Sequence, residues 1–156
     1  MYFTQPVDGS IDRAGMDGSH PSSIVTGLSR PQGITIDFQN SRLYWTCEQE
    51  GTAVQSSTLE GSEVKTIVQR PISTWTSRTS GLFGRRVYWT NLRTRTLESS
   101  TLAGKDLRLM HTSPVGLWTL AVAGRVDLPN NRANDCVGQA CAKVCVLSPR
   151  SFSSLY

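Results

Sequence analysis

Apolar positions along this chain fall in short β-prone runs, parted by clusters of Gly, Pro, Asn, Asp and Ser. Met1–Thr4, Ile11–Met16 and Ser23–Thr26 read as three strands. Ile34–Asp37, Leu43–Thr46, Ala53–Leu59 and Val64–Val68 read as four more. Ile72–Ser77, Arg86–Thr90, Thr96–Leu102 and Leu107–His111 form a third group, and Leu117–Val122 stands alone after it. Between the runs lies turn chemistry. Asp17-Gly18, Glu60-Gly61 and Ala103-Gly104 are hairpin signals, and Gln39-Asn40-Ser41 is a turn. Arg30-Pro31-Gln32-Gly33 reads as a break and Gly81-Leu82-Phe83-Gly84 as a hairpin loop. No stretch carries a helix of useful length.

The pattern recurs. Leu43-Tyr44-Trp45-Thr46 has copies in Met1-Tyr2-Phe3-Thr4 and Val87-Tyr88-Trp89-Thr90, with tyrosines 42 and then 44 residues apart. Gly18, Gly61 and Gly104 are spaced by 43 and 43, and so are Met16, Leu59 and Leu102. Ile11, Val54 and Leu97 keep the interval, as do Ile24, Ile67 and Met110. Four antiparallel strands in a unit of about 43 residues is the pattern of a propeller blade. Strands stacked between blades are covered on both faces and lose polar alternation. Tyr2, Tyr44, Trp45, Tyr88 and Trp89 are therefore read as the structural core of the repeat, large rings with a polar tip each. Gly18, Gly61 and Gly104 are read as hairpin turns with positive φ.

Composition narrows the class. The 156 residues suffice for one domain with a sizeable core, and 38% hydrophobic with 18% charged residues fits an ordinary globular chain. No run of about 18 apolar residues occurs, so no direct membrane insertion is expected. Met1–Pro6 lacks the basic start and apolar segment of a signal peptide, and reads as an opening inside a repeat, as in a fragment. The net charge of +4 conceals a split: residues 1–64 carry three Lys/Arg and eight Asp/Glu, residues 65–156 thirteen and four. Solvated loops of unequal sign account for it; so would an acidic partner, or attraction between one copy's front and another's rear. Arg85-Arg86 and Arg93 with Arg95 are basic, but no nucleic-acid module surrounds them, so no nucleic-acid partner is expected.

Candidate chemistry is sparse. His20 and His111 sit in outer turns and strands, neither in a nucleophile motif. No Gly-rich phosphate loop and no Asn-x-Ser/Thr sequon occur. Cys136, Cys141 and Cys145 lack a nearby His and match zinc patterns poorly. The reading is a non-enzyme with no catalytic residue, no cofactor and no metal.

The Tyr-Trp-Thr strands with their glycine turns, and Met1–Thr4 followed by Ile11-Asp12-Arg13-Ala14-Gly15-Met16-Asp17-Gly18-Ser19, resemble the YWTD repeats of the low-density-lipoprotein-receptor-related family over roughly residues 1–145. The resemblance implies an all-β fold, with residues 1–126 forming about half of a six-bladed YWTD β-propeller of four-stranded blades. Residues 127–135 read as a linker. Residues 136–156 resemble a truncated EGF-like segment, through Cys136-x4-Cys141-x3-Cys145 and Val146-Leu147-Ser148-Pro149. That likeness implies a Cys136–Cys145 disulfide; Ser153 and Ser154 stand where a fourth cysteine would be, leaving Cys141 without its usual partner. The family's aspartate after Tyr-Trp-Thr, which ties one blade to the next, is replaced by Gln5, Cys47 and Asn91, so weaker cohesion is expected. Cys47 reads as a buried thiol, with pairing to Cys141 left open.

The implied function is a protein-binding module, like the ectodomain of an endocytic or Wnt co-receptor, extracellular or at the cell surface, with an extracellular protein ligand. The alternative is a truncated fragment that self-associates or has lost ligand binding. Half a ring leaves strand edges open. A homodimer closing six blades is expected, with Leu117–Val122 of each copy beside Met1–Thr4 of the other. Ligand-binding residues cannot be named, because binding loops are the least shared part of such a fold.

Overall fold

A computed structural model of the chain describes residues 1–48, 54–69, 77–113, 117, 119–123, 143–148 and 151–155. These residues build fourteen strands and no helix. The first sheet holds β1 (Tyr2–Gln5), β2 (Ser10–Arg13) and β3 (Ser22–Val25) in sequence order. The second holds β4 (Pro31–Asp37), β5 (Arg42–Cys47), β6 (Val54–Thr58) and β7 (Lys65–Val68). The third holds β8 (Ser77–Phe83), β9 (Arg86–Asn91), β10 (Thr96–Thr101) and β11 (Arg108–Thr112). The fourth joins β12 (Thr119–Ala123) to β13 (Lys143–Ser148) and β14 (Ser151–Leu155). Every pairing is antiparallel between neighbours in sequence, the meander of propeller blades. Among the described residues, no helix is long and apolar enough to cross a membrane.

Side-chain alternation along β5 explains why its residues are nearly all buried. Leu43, Trp45 and Cys47 point to the first sheet and pack with Ile11 and Val25. Tyr44, between them, points the other way and packs with Val54, Val68, Val87 and Trp89. One register later, Tyr88 packs with Leu97, Leu117 and Leu120. The second and third sheets thus each feed two interfaces, and both faces of their Tyr-Trp strands are buried. Ser56, Ser57, Ser99 and Ser100 are also fully buried; side chains this small let neighbouring sheets approach closely.

Two irregularities repeat with the sequence. The pairing of β2 with β3, β6 with β7 and β10 with β11 shifts between Ile11/Asp12, Val54/Gln55 and Leu97/Glu98, the same repeat position each time. A bulge there bends the outer strand and increases the local twist. The first strand of the second and third sheets shifts likewise, at Pro31/Ile34 and Ser77/Ser80.

Three sequence expectations need correction. Pro31-Gln32-Gly33 is not a break but the start of β4, because Pro31 sits at the first strand position, where its missing N–H is tolerated. The first strand of the third sheet is described as β8, which shares Ser77 with the expected span Ile72–Ser77; residues 72–76 lie outside the described residues. Gly81, Leu82 and Phe83 belong to that strand, and its hairpin is the two-residue turn Gly84-Arg85. Both turn residues have positive φ, 56° and 63°, as a type I′ hairpin requires. That turn sets the register, so Ser80 faces Trp89 as Ile34 faces Trp45. Finally, the strand expected to stand alone at 117–122 has a partner within the chain, over Thr119–Ala123. β12 pairs with β13 of its own chain, Ala121 opposite Cys145, because the tail supplies a hairpin of matching length.

Candidate functional site

The repeat builds a joint between sheets. In each of the first three sheets a glycine turn links the third-position strand to the outer strand. Gly18, Gly61 and Gly104 have φ of 81°, 85° and 75°. The turns share two hydrogen bonds. The amides of Gly18, Gly61 and Gly104 donate to the carbonyls of Gly15, Thr58 and Thr101, at 3.0, 3.1 and 2.9 Å. The amides of Gly15, Thr58 and Thr101 donate to the carbonyls of Ser19, Ser62 and Lys105, at 2.8, 2.9 and 2.9 Å. A Cβ at Gly61 would collide with the carbonyl oxygen of Ile24 on β3, and one at Gly104 with that of Ile67 on β7. The turn therefore rests backbone-to-backbone on the outer strand of the preceding sheet. Leu59 and Leu102, two residues before these glycines, seal the joint from the core side.

Beside each joint lies an arginine clamp that the sequence reading missed. Arg42 donates through Nη2 to Ser56 Oγ and to the Glu63 carbonyl, both at 3.2 Å, and pairs with Glu63 Oε2 at 3.3 Å. Arg86 repeats this on Ser99 Oγ at 3.1 Å, the Asp106 carbonyl at 2.6 Å and Asp106 Oδ2 at 2.7 Å. Glu63 and Asp106 both take left-handed backbone, φ 51°, which turns the carbonyl and the carboxylate toward the same guanidinium. His20 has φ 50° at the matching place in the first sheet, one repeat before Glu63. The signal was present: an Arg precedes Leu-Tyr-Trp and Val-Tyr-Trp, and an acid follows Gly61 and Gly104 by two residues. Lys65 lies 3.3 Å from Glu63 Oε2, and Lys65 with Arg42 holds the Glu63 carboxyl below its ordinary range. Arg108, then Arg86, does the same to Asp106.

Between the second and third sheets these groups line an open cleft of about 640 Å³, formed by Arg42, Tyr44, Ser56, Lys65, Thr66, Ile67, Leu102 and Ala103. Burial, and then the charge of Asp37, pushes the Tyr44 hydroxyl above its ordinary pKa, so it remains a neutral donor. The cleft presents cations, hydroxyls and a little apolar wall, which suits polar recognition. Among the described residues no group of three His, Cys, Asp or Glu side chains could hold a metal ion.

Tyr44, Trp45, Tyr88 and Trp89 lie buried at the interfaces, while Tyr2 is half-buried against the Leu43–Trp45 cluster. Trp45 Nε1 and Cys47 Sγ both donate to Gln55 Oε1 at 3.2 Å, so the cysteine in the aspartate position is tied within its own sheet. Burial pushes the Cys47 thiol up to about 11. Asn91 Oδ1 accepts from the amides of Arg93 and Thr94, at 3.1 and 3.3 Å. Thr4 Oγ1 donates 2.7 Å to the Gln32 carbonyl and links the first sheet to the second. Cys136 and Cys141 lie outside the described residues; Cys145 is placed only as a strand position of β13.

No protein-family model matches the chain. It is 27% identical over 140 residues to the vitellogenin receptor of Solenopsis invicta, 86% of this chain and 8% of that protein. It is 36% identical over 63 residues to low-density lipoprotein receptor-related protein 1 of Pyricularia oryzae, 38% of this chain and 20% of that protein. The chain thus spans a fifth or less of either relative. Among solved structures it superposes on a chain of a nidogen/laminin complex with a TM-score of 0.67 at 19% identity, over 94% of this chain and 51% of that one. It also superposes on a gluconolactonase of Xanthomonas campestris with a TM-score of 0.63 at 12% identity, over 89% and 41%. At such identities the two structures speak for fold alone.

Proposed function

The chain is a segment of a YWTD-type β-propeller, and on that premise we propose that it is a protein-binding module acting outside the cell or at its surface. The carrying observation is the match to a vitellogenin receptor through 86% of the chain, although it spans 8% of that receptor. An extracellular protein is the ligand, in the manner of an endocytic or Wnt co-receptor ectodomain, and the cleft with Arg42, Tyr44 and Lys65 supplies polar recognition beside the loops. The gluconolactonase likeness names the competing enzymatic reading.

Cross-linking of the purified chain to secreted proteins, followed by mass mapping, tests both. Saturable binding whose cross-links gather on one rim, weakened by Lys65→Glu, is the expected result. Hydrolysis of a sugar lactone with no saturable protein ligand would replace this reading with an enzymatic one. In the same oxidised material, mapped peptides should carry the Cys136–Cys145 bridge that the EGF-like likeness implies.

A further inference from the structure

Among the described residues the joint between sheets is filled twice and left open at both ends of the array. Gly61 rests on Ile24 and Gly104 on Ile67, yet a Cβ at Gly18 would meet nothing within 4 Å. Met16, the counterpart of Leu59 and Leu102, is 85% exposed, and Met1, the counterpart of fully buried Leu43, is 44% exposed. The receiving half is open too. Met110 stands on β11 where Ile24 and Ile67 stand on β3 and β7, and it is 46% exposed beside exposed Leu107 and Leu109.

Strand edges tell the same story. In the second and third sheets an inner strand, β4 or β8, pairs with the Tyr-Trp strand. Among the described residues nothing pairs with that edge of β1. β12 lies against β8, as β8 lies against β4, and so is itself an inner strand. Its partners β13 and β14 take the places of β5 and β6: Lys143 faces Ala123 as Arg42 faces Asp37. Adding β1–β3 to β12 would complete the four-strand order of β4–β7, and two copies would then form six such sheets.

We propose that the front of the first sheet docks on a second copy of this chain. There the Met16–Gly18 turn seats on β11 and β1 pairs with β12, displacing the β13–β14 hairpin, which otherwise caps β12. The occupant follows from the repeat, since the surface that receives each turn is the outer strand of another such sheet, and β11 is the one described outer strand without a turn on it. Charge favours the contact, with eight Asp/Glu against three Lys/Arg in residues 1–64 and thirteen Lys/Arg against four Asp/Glu after them. This docking is separate from ligand binding and stands or falls apart from it.

Sedimentation velocity over a wide concentration range tests it on the full chain. The expected wild-type result is a reversible dimer, tighter at low salt. Val144→Pro with Val146→Pro removes ladder donors from β13 and should shift the dimer midpoint at least about tenfold lower. Met16→Lys alters a side chain that is exposed in the monomer and should raise the midpoint by about tenfold; Gly18→Ala, colliding with the partner's Met110 carbonyl, should do the same. Hydrogen exchange on the unmodified chain adds a readout that no variant can confound. As dimer forms, Tyr2–Gln5 amides should gain protection and Ser151–Leu155 amides should lose it. A monomer at every concentration, in wild type and proline variants alike, overturns the proposal. So does a dimer indifferent to Met16→Lys and Gly18→Ala, or one whose β14 amides stay protected.

Discussion

Trp45 and Trp89 are fully enclosed on the side of their strands that faces the preceding sheet. Truncating Trp45 to Ala removes most of the wall against Ile11 and Val25 and deprives Gln55 of one donor. A loss of about 3–5 kcal/mol is expected in denaturant melts, the range for aromatic-to-Ala cavities. Cys47 gives a pH handle. Burial raises its thiol from an ordinary 9.0 to about 11, because the thiolate is poorly solvated there. The folded state holds the proton more tightly, so the stabilisation is complete below pH 9 and disappears as pH rises through about 11. Comparing the alkaline melts of wild type and Cys47→Ala isolates this group. The wild type should lose stability relative to the variant between those two values.

At the scale of the element, the outer strands are held by side chains as well as by their own pairing. β7 and β11 meet their neighbours through a shifted register, and an arginine from two strands away ties down the turn that leads into each. Arg86 is mostly covered while Asp106 is about half open to solvent. Arg86→Met should therefore loosen the start of β11 more than it lowers global stability, visible as faster amide exchange over Arg108–Thr112. The Asp106 carboxyl is held below its ordinary range by Arg108 first and Arg86 second. Its contribution is present above the unfolded carboxylate pKa and is lost as pH falls through the lowered folded value. Acid melts of Arg86→Met should accordingly show a shallower loss of stability than wild type.

Across the whole molecule, contacts run from one sheet to the next, as in a repeat array. Among the described residues the second and third sheets have neighbours on both faces, whereas the first is covered on one. Hydrogen exchange should then be graded. β5, β6, β9 and β10 should exchange slowest, and β1 and β3 much faster. Uniform protection across all three sheets would show instead that the array unfolds as a single unit.

The repeat, the strands and the all-β class were legible because each is a local property. Tyr44 and Trp45 favour extended backbone wherever they stand, and a glycine followed by a polar residue turns a chain regardless of its neighbours. The two-faced burial of β5 could also be anticipated, since Leu43-Tyr44-Trp45-Thr46 shows no polar alternation. Pairing between distant segments was beyond reach of the same signals. The end of β8 was missed because Gly81-Leu82-Phe83-Gly84 looks like a loop, while the turn at Gly84-Arg85 sets the register from the other end. The recurrent bulge after Ile11, Val54 and Leu97 leaves no mark in composition, being a mismatch between two strands. Strands β13 and β14 form a sheet with β12 through hydrogen bonds spanning the residues between 123 and 143, a contact to which local propensity is blind. The arginine clamps and the turn-on-strand joint likewise exist only between elements. Their residues are ordinary in sequence, and it is packing one sheet upon another that puts Arg42 against Glu63 and leaves Gly61 no room for a side chain.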